Sequence, residues 1–238
     1  MINTVRYFSQ MLMPGISAQG QAAIAAAKVL VIGAGGLGCP VLAALAAMGT
    51  GHIGIIDDDM VEMKNLHRQL LYSEADIGKP KVQVALQKLQ AQNSEVTITV
   101  YPERFTEPNA AALVAAYDII VDCCDNAATR YIIDQHTKAQ NKPFVYGAVR
   151  QWQGQLSVFN FRNGPSYKNL FADEAAAAAE TDCASTGIMA HITGIIGSLQ
   201  VNEVVKIITG DDEHVLSGEV LTIDLQGLEF RKFKVKSY

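Results

Sequence analysis

A glycine-rich turn between a predicted strand and a predicted helix constrains the fold of this chain more than any other feature. The apolar strand 28–33, "KVLVIG", leads into "GAGGLG", and the helical segment 36–49 follows at once. The turn contains Gly33, Gly35, Gly36 and Gly38. Glycines allow a tight turn in which backbone N–H groups and a helix N-terminus approach a phosphate. The turn therefore predicts a nucleotide-binding α/β domain, with close strand–helix packing as the alternative role of the glycines.

Strands and helices alternate along the first part of the chain. Predicted strands at 28–33, 52–57, 95–103, 118–125 and 143–149 are separated by predicted helices at 36–49, 79–93, 107–117 and 127–141. This alternation predicts a doubly wound, mostly parallel sheet of the Rossmann-like type. Later segments at 154–161, 219–225 and 229–235 alternate as antiparallel strands do, and an apolar helix is predicted at 192–210. We expect one domain over 1–238, with a nucleotide-binding half at 1–148 and a C-terminal antiparallel extension at 149–238.

The composition excludes several classes of protein. Charged residues make up 18% of the chain and the net charge is −5, which argues against a general nucleic-acid-binding surface. The apolar stretches are too short to span a bilayer, and the N-terminal segment does not resemble a signal peptide. The four cysteines, Cys39, Cys123, Cys124 and Cys183, form no CxxC pair. We therefore expect reduced thiols in a cytoplasmic protein without a membrane segment.

A run of polar residues follows the second predicted strand. It reads "DDDMVEMKNLHRQ", from Asp57 to Gln69, and Asp57 lies about 20 residues after the last glycine, where a carboxylate can hold a nucleotide ribose. The candidate nucleotide ligands in and after this run are Asp57, Asp59, Asn65, Arg68, Gln69 and Lys81. Arg68 can contact a phosphate with two N–H groups, and Lys81 supplies a compact charge. This set fits a triphosphate better than NAD, although each cation alone could be an ordinary surface charge.

The segment "DCCDN" ends the predicted strand 118–125 with two adjacent polar residues, Asp125 and Asn126. Side chains at the carboxyl edge of a parallel sheet lie over the nucleotide crevice. Asp125 could therefore hold Mg²⁺ between phosphates. Either residue could instead cap the helix 127–141. One of the two is expected to cap the helix while the other binds the metal.

Five segments together resemble the ThiF/MoeB/HesA family, bacterial relatives of the ubiquitin-activating enzymes. They are "GAGGLG", "DDDMVEMKNLHRQ", "GKPKV", "DCCDN" and "GIIGSLQVNEVVKI", and the similarity covers nearly the whole chain. The resemblance implies an ATP-dependent adenylyltransferase that acts on a small β-grasp, ubiquitin-like sulfur-carrier protein ending in Gly-Gly, of the thiamine or molybdopterin type. It also implies a homodimer, with the half 149–238 serving dimerisation and carrier binding.

The resemblance also implies roles for individual residues. Asp57 would hold the ribose, Asn65, Arg68 and Lys81 the phosphates, and Asp125 the Mg²⁺ ion. Arg68, Lys81 and Asp125 would be catalytic. Cys183, in "TDCASTG", matches a cysteine that some members use for sulfur transfer or for a covalent link to the carrier. A buried, inert cysteine is the alternative for Cys183.

The chain departs from the family pattern in two places. Family members carry two CxxC pairs for a structural zinc, but Ser166 and Asn169 stand where the first pair would be, and the chain ends in "FKVKSY". We therefore predict no structural zinc. In "RYFSQ", Ser9 replaces an arginine that reaches the ATP of the partner subunit, so that Arg6 or another cation would have to substitute. A catalytically silent scaffold, an NAD-dependent oxidoreductase, and adenylylation of a peptide or of tRNA remain as alternatives.

Overall fold

One mixed sheet crosses the whole molecule in a computed structural model that describes residues 3–172 and 187–235. In these residues the sheet has eight strands: β1 (Lys28–Ile32), β2 (His52–Ile56), β3 (Thr97–Tyr101), β4 (Ile119–Asp122), β5 (Phe144–Arg150), β6 (Gln153–Phe159), β7 (Glu219–Asp224) and β8 (Glu229–Lys234). Their order is β3-β2-β1-β4-β5-β6-β7-β8. The first five are parallel, and β6, β7 and β8 are added antiparallel. The predicted doubly wound sheet and its antiparallel extension are confirmed.

Helices cover both faces of the sheet. Those in the described residues are α1 (Phe8–Met11), α2 (Ser17–Ala26), α3 (Gly38–Ala47), α4 (Lys81–Gln92), α5 (Glu107–Ala116), α6 (Ala127–Ala139), α7 (Tyr167–Leu170) and α8 (Ala190–Thr209). The five longer helices predicted from the sequence are all present, whereas α1, α2 and α7 were not predicted. None of the helices in the described ranges is long and apolar enough to cross a membrane.

The alternating side chains of β1 divide the core into two layers. Val29 and Val31 belong to the layer on the side of α3, α4 and α8, while Leu30 and Ile32 belong to the layer on the side of α5 and α6. Successive strand residues point to opposite faces of a sheet, so a strand buried on both faces has to be apolar throughout. This explains why β1 is an unbroken apolar run.

The sheet opens between β4 and β5 at their carboxyl ends. These strands share only two paired positions, Ile120 with Phe144 and Val121 with Val145. Beyond them β4 stays paired with β1 as far as Asp122, while β5 continues along β6. In parallel α/β sheets a ligand crevice forms outside the carboxyl ends of the strands. The opening lies beside that edge, where the glycine turn and the "DCCDN" segment also emerge.

The segment around α7 is held by a hydrogen-bonded network. Ser166 and Asn169 form a reciprocal capping box at the start of α7, with the Ser166 N–H donating to Asn169 Oδ1 at 2.8 Å. The Asp134 carboxylate accepts from the Tyr167 N–H at 2.8 Å and from Asn160 Nδ2 at 2.9 Å. Side chains at the two positions where the family resemblance would place cysteines are therefore engaged in capping.

Candidate functional site

A cleft of about 1210 Å³ lies at the carboxyl ends of β1, β2 and β4. It brings together eleven of the predicted site residues: Gly33, Gly35, Gly36, Asp57, Asp59, Asn65, Arg68, Gln69, Lys81, Asp125 and Asn126. Gly38 is buried at the start of α3 behind the turn and does not line the cleft. Cys183 lies outside the described residues. The predicted nucleotide and magnesium residues thus converge on one site, although they come from separate parts of the chain.

The glycines of the turn have two different structural roles. Gly33 has φ +96°, and a Cβ at that position would lie 2.6 Å from the Cys123 carbonyl oxygen. A Cβ at Gly38 would lie 2.1 Å from the Gly33 carbonyl oxygen. A Cβ at Gly35 would meet only the Gln69 side chain, at an ordinary contact distance of 3.5 Å. Packing therefore requires Gly33 and Gly38, whereas Gly35 leaves open space in the cleft.

Asp57 fastens the glycine turn to the end of β2. Its Oδ2 accepts from the Ala34 N–H at 2.7 Å, and its Oδ1 accepts from the Asp59 N–H at 2.8 Å. Burial raises the pKa of the Asp57 carboxyl, although the charge of Lys81 and the two N–H groups act in the opposite direction. A carboxylate offers about four acceptor positions, so Asp57 can also accept from a ligand hydroxyl in the cleft.

Lys81 is a buried cation in the wall of the cleft. Its side chain is 3% exposed, and its Nζ lies 2.7 Å from Oδ2 of Asp59, whose side chain is 61% exposed. The backbone joins the same two residues, because the Lys81 N–H donates to the Asp59 carbonyl at 3.0 Å. A buried ammonium group is costly unless an opposite charge compensates it. Asp59 supplies that charge.

Asn65, Arg68 and Gln69 follow one another on a single turn. The Asn65 Oδ1 atom accepts from Arg68 Nη2 at 3.2 Å, which directs the guanidinium along the cleft wall. Gln69 is buried, and its Oε1 has no hydrogen-bond partner in the described residues. Buried acceptors are normally satisfied. The Gln69 side chain lines the cleft, with its Nε2 beside Gly35, but the unpaired Oε1 atom is itself buried and not open to a ligand.

Asp125 and Asn126 divide the two roles that the sequence left open between them. The Asn126 Oδ1 atom accepts from the Thr129 N–H at 2.9 Å, and Asn126 is the N-cap of α6. Asp125 is exposed in the cleft, and its Oδ1 accepts a long hydrogen bond, 3.4 Å, from Asn126 Nδ2. Asn126 therefore caps the helix, and the Asp125 carboxylate is left available to a cation.

Three consecutive carboxylates form a second acidic group in the cleft. Oxygen atoms of Asp57, Asp58 and Asp59 lie within 4.8 Å of one another. Each already has a partner: Asp57 accepts backbone N–H groups, Asp58 pairs with Arg104 at 3.2 Å, and Asp59 pairs with Lys81. Cations or backbone N–H groups therefore compensate the charges of these three carboxylates, whereas Asp125 accepts only the long hydrogen bond from Asn126 among the described residues.

The cleft also contains side chains that no sequence motif indicated. They include Arg104, Phe105, Arg130, Tyr146 and Arg150. Arg130 is the most unusual, because it is 2% exposed and its Nε lies 2.9 Å from Oδ2 of the buried Asp122. It occupies the apolar face of α6 together with Ile133. Charged residues are rarely buried, so an arginine at the apolar positions of a predicted helix could have identified Arg130 from the sequence.

Comparisons with known proteins show the family to which the sequence is similar. A model of the ThiF family matches residues 7–238. The "Adenylyltransferase and sulfurtransferase MOCS3" of Culex quinquefasciatus is 44% identical over 231 residues, which cover 97% of this chain and 52% of that protein. The "Sulfur carrier protein adenylyltransferase" of Thermus thermophilus is 39% identical over 236 residues, covering 97% and 87%. The chain spans about half the length of the MOCS3 relatives.

Solved structures share the fold at lower identity. Escherichia coli MccB superposes with a TM-score of 0.86 at 21% identity, and the match covers 100% of this chain and 73% of that one. PaaA superposes with a TM-score of 0.82 at 24% identity, covering 99% and 74%. The family match covers nearly the whole chain, and the relatives are near 40% identical to it. This chain belongs to the ThiF family.

Proposed function

We propose that this chain is an ATP-dependent adenylyltransferase that activates the C-terminal glycine of a small ubiquitin-like sulfur-carrier protein. The observation that carries the proposal is the convergence of Arg68, Lys81 and Asp125 around a glycine turn of the nucleotide-binding type. The names of the Culex and Thermus relatives support the same activity. A carrier of the thiamine or molybdopterin type ending in Gly-Gly is the substrate that we infer.

In the proposed reaction, a carboxylate oxygen of the carrier attacks the α-phosphorus of ATP. The bond from that phosphorus to the α–β bridging oxygen breaks, and its electron pair leaves with pyrophosphate. The products are an acyl-adenylate and pyrophosphate. No general base is required, because the attacking carboxylate is already ionised at neutral pH.

Five residues of the cleft would bind or orient the nucleotide. Asp57 would accept hydrogen bonds from the ribose, and the Gln69 side chain, which lines the cleft, would contact the nucleotide. Arg68 and Lys81 would stabilise the negative charge that moves onto the departing pyrophosphate, while Asn65 orients Arg68. Preorganised donors of this kind are often the largest contribution to catalysis.

The exposed carboxylate of Asp125 fits a magnesium site at the phosphate end of the cleft. Carboxylate oxygens are the ligands that Mg²⁺ prefers, and the ion commonly binds through one or two of them together with phosphates. When bound there, Mg²⁺ would neutralise part of the phosphate charge. We infer no structural zinc, since Ser166 and Asn169 offer no thiolate.

We infer a cytoplasmic homodimer. Large hydrophobic side chains of the N-terminal segment are exposed, with Val5 at 88%, Phe8 at 59% and Leu12 at 67%. A second subunit that covers them would remove this apolar surface from water. Arg6 is exposed near them, with its Nη1 donating to the Gln92 carbonyl at 3.2 Å. Sedimentation of the purified chain tests the dimer, and a monomer at micromolar concentration would contradict it.

Cys183 remains a proposed nucleophile for a later step. A covalent link to the carrier could form only after the adenylate exists. We therefore expect Cys183→Ala to leave ATP–pyrophosphate exchange unchanged. Loss of exchange in that variant would contradict the proposed order of steps.

ATP–pyrophosphate exchange, measured with and without purified carriers of the thiamine and molybdopterin types, tests the proposed function. Exchange that depends on one carrier supports the activity and identifies the type of carrier. ATP binding without exchange on any carrier would favour a silent nucleotide-binding scaffold, a possibility that Ser9 keeps open. Binding of NAD in preference to ATP would overturn the proposal.

A further inference from the structure

The opening between β4 and β5 is filled by two buried polar side chains, Arg130 from α6 and Gln200 from α8. Gln200 is fully buried, and its Nε2 donates to the Asp122 carbonyl at 2.6 Å and to the Val145 carbonyl at 3.4 Å. Val145 belongs to the last pair that joins β5 to β4, and Asp122 lies one residue beyond the last paired residue of β4. Gln200 thus places a buried hydrogen-bond donor at the point where the two strands separate.

Arg130 lies in the same opening and, unlike Gln200, also lines the cleft. Its Nε donates to Asp122 Oδ2 at 2.9 Å, and its Nη2 donates to the Cys124 carbonyl at 2.9 Å and to the Gly147 carbonyl at 3.4 Å. Asp122 Oδ1 in turn accepts from the Cys124 N–H at 2.9 Å. Both backbone polar groups of Cys124 are therefore held by one buried ion pair.

The fixed backbone of Cys124 immediately precedes Asp125. On the other side of Asp125, Asn126 is fixed as the cap of α6. Asp125 is therefore an exposed residue between two anchored neighbours. Side chains that hold a metal ligand or its backbone in place commonly change metal affinity by about 10- to 100-fold when they are substituted.

Stability alone does not account for Arg130. Its Nη1 atom is buried without a hydrogen-bond partner in the described part of the chain. A buried ion pair with an unsatisfied donor is weak evidence of stabilisation, since apolar residues of similar volume often stabilise a fold as well or better. The close fit also extends to the strand, because a Cβ at Gly147 would lie 2.5 Å from Gln200 Cδ.

We infer that Arg130 and Gln200 are positioning residues that set the Asp125 carboxylate for the metal–nucleotide complex. The inference rests on the proposed function for the identity of that complex. Arg130 acts through the Cys124 backbone, and Gln200 acts two residues earlier, through the Asp122 carbonyl. Neither side chain needs to touch the nucleotide.

Arg130→Lys is the informative substitution. Lysine keeps the positive charge beside Asp122 but cannot span Asp122, Cys124 and Gly147 with a planar fork of N–H groups. The measurement is Mn²⁺ affinity, read by electron paramagnetic resonance in the presence of a non-hydrolysable ATP analogue. We expect a loss of about 10- to 100-fold in Arg130→Lys and a smaller loss in Gln200→Met, which carries the test if Arg130→Lys does not fold.

Glu203→Gln is the matched control. Glu203 is also buried on α8, where it accepts from the Leu216 N–H at 2.8 Å and from Lys206 at 2.5 Å, and it does not line the cleft. This variant should lose thermal stability without losing Mn²⁺ affinity. Wild-type Mn²⁺ affinity in both test variants, or an equal loss of Mn²⁺ affinity in Glu203→Gln, would overturn the inference.

The wild-type protein separates this inference from the proposed function. If it binds the Mn²⁺–nucleotide complex but exchanges no pyrophosphate on any carrier, the proposed activity fails and the positioning role is still measured. If it binds nucleotide with no effect of Mn²⁺, the positioning role fails whatever the exchange assay gives.

Discussion

The ammonium group of Lys81, buried in the cleft wall, lies 2.7 Å from the largely exposed carboxylate of Asp59. An isolated β-bridge between Met60 and Pro80 holds the two ends of the intervening loop together. The fold itself therefore brings the two residues together. A nucleotide phosphate that takes Lys81 as its partner has to share that lysine with Asp59 or displace the carboxylate.

Substitution of Asp59 should strengthen ATP binding, whereas substitution of Lys81 should slow pyrophosphate exchange. In Asp59→Asn, Lys81 no longer has a competing anion. We therefore expect ATP to bind about two- to fivefold more tightly in the absence of divalent cations, a factor that corresponds to the free energy of a partly exposed ion pair. In Lys81→Met, we expect pyrophosphate exchange to fall by about 10²- to 10³-fold, as for other donors that stabilise developing charge. Calorimetric titration and the exchange assay measure these effects. Weaker ATP binding in Asp59→Asn would show that Asp59 itself holds the nucleotide.

Two alanine substitutions in the glycine turn should separate binding from folding. Gly35→Ala meets only the Gln69 side chain, so it should leave the melting temperature nearly unchanged while obstructing ATP. Gly38→Ala places a methyl group against the Gly33 carbonyl and should destabilise the fold by about 1–3 kcal/mol. Thermal unfolding and ATP titration of both variants test this difference. Unchanged ATP affinity in Gly35→Ala would remove the turn from the binding site.

Asp125→Ala should lose activity, whereas Asn126→Ala should lose stability. The first removes the exposed carboxylate and should abolish exchange without a change in circular dichroism or melting temperature. The second removes the N-cap of α6 and should cost about 1 kcal/mol of unfolding free energy. Urea unfolding and the exchange assay give both quantities. Full activity in Asp125→Ala would contradict the magnesium assignment.

The raised pKa of Asp57 predicts a specific pH dependence. As pH falls through this raised value, the carboxylate gains a proton and loses acceptor strength toward the ribose. ATP affinity should therefore begin to fall at a higher pH than the value near 3.9 of an ordinary aspartate would give. Asp57→Asn should bind about tenfold more weakly at pH 7, from the loss of a hydrogen bond to a charged group.

The ATP affinity of the wild-type protein divided by that of Asp57→Asn reports on Asp57 alone. The titration of ATP itself affects both proteins alike and cancels in this ratio. That ratio should approach one as pH falls. The effect on stability has the opposite sign: since the folded-state pKa lies above the unfolded one, protonation of Asp57 favours the folded state. A ratio that stays constant from pH 8 to pH 4 would exclude Asp57 as the ribose ligand.

The sequence predicted the parallel sheet because its strands are apolar runs between helical segments, and these patterns are local. It also predicted most of the cleft, since Asp57, Arg68, Lys81 and Asp125 all follow strand ends that a parallel sheet must bring to one edge. Helix α2 was missed because its alanine-rich sequence has no distinct apolar stripe. Its buried Gln21 hydrogen-bonds the Met48 carbonyl at 3.0 Å, a long-range contact.

The partners within the cleft could not be predicted in the same way. Lys81 was expected to bind phosphate, but its pairing with Asp59 depends on how a long loop closes. The interaction of Gln200 with Asp122 joins residues 78 positions apart across an opening in the sheet. No periodicity in the sequence reports where two neighbouring strands separate, so the side chains that fill such an opening become visible only in three dimensions.

The order of the neighbouring residues Asp125 and Asn126 decides which side chain faces the cleft and which caps α6. Asn at 125 and Asp at 126 would keep the helix cap, since aspartate caps a helix about as well as asparagine does. The exchange would place a neutral amide over the cleft in place of a carboxylate, with the composition of the segment unchanged. On the proposed mechanism, such a transposed chain would fold and bind nucleotide but transfer nothing. A search for this site by residue content alone would accept inert proteins together with active ones.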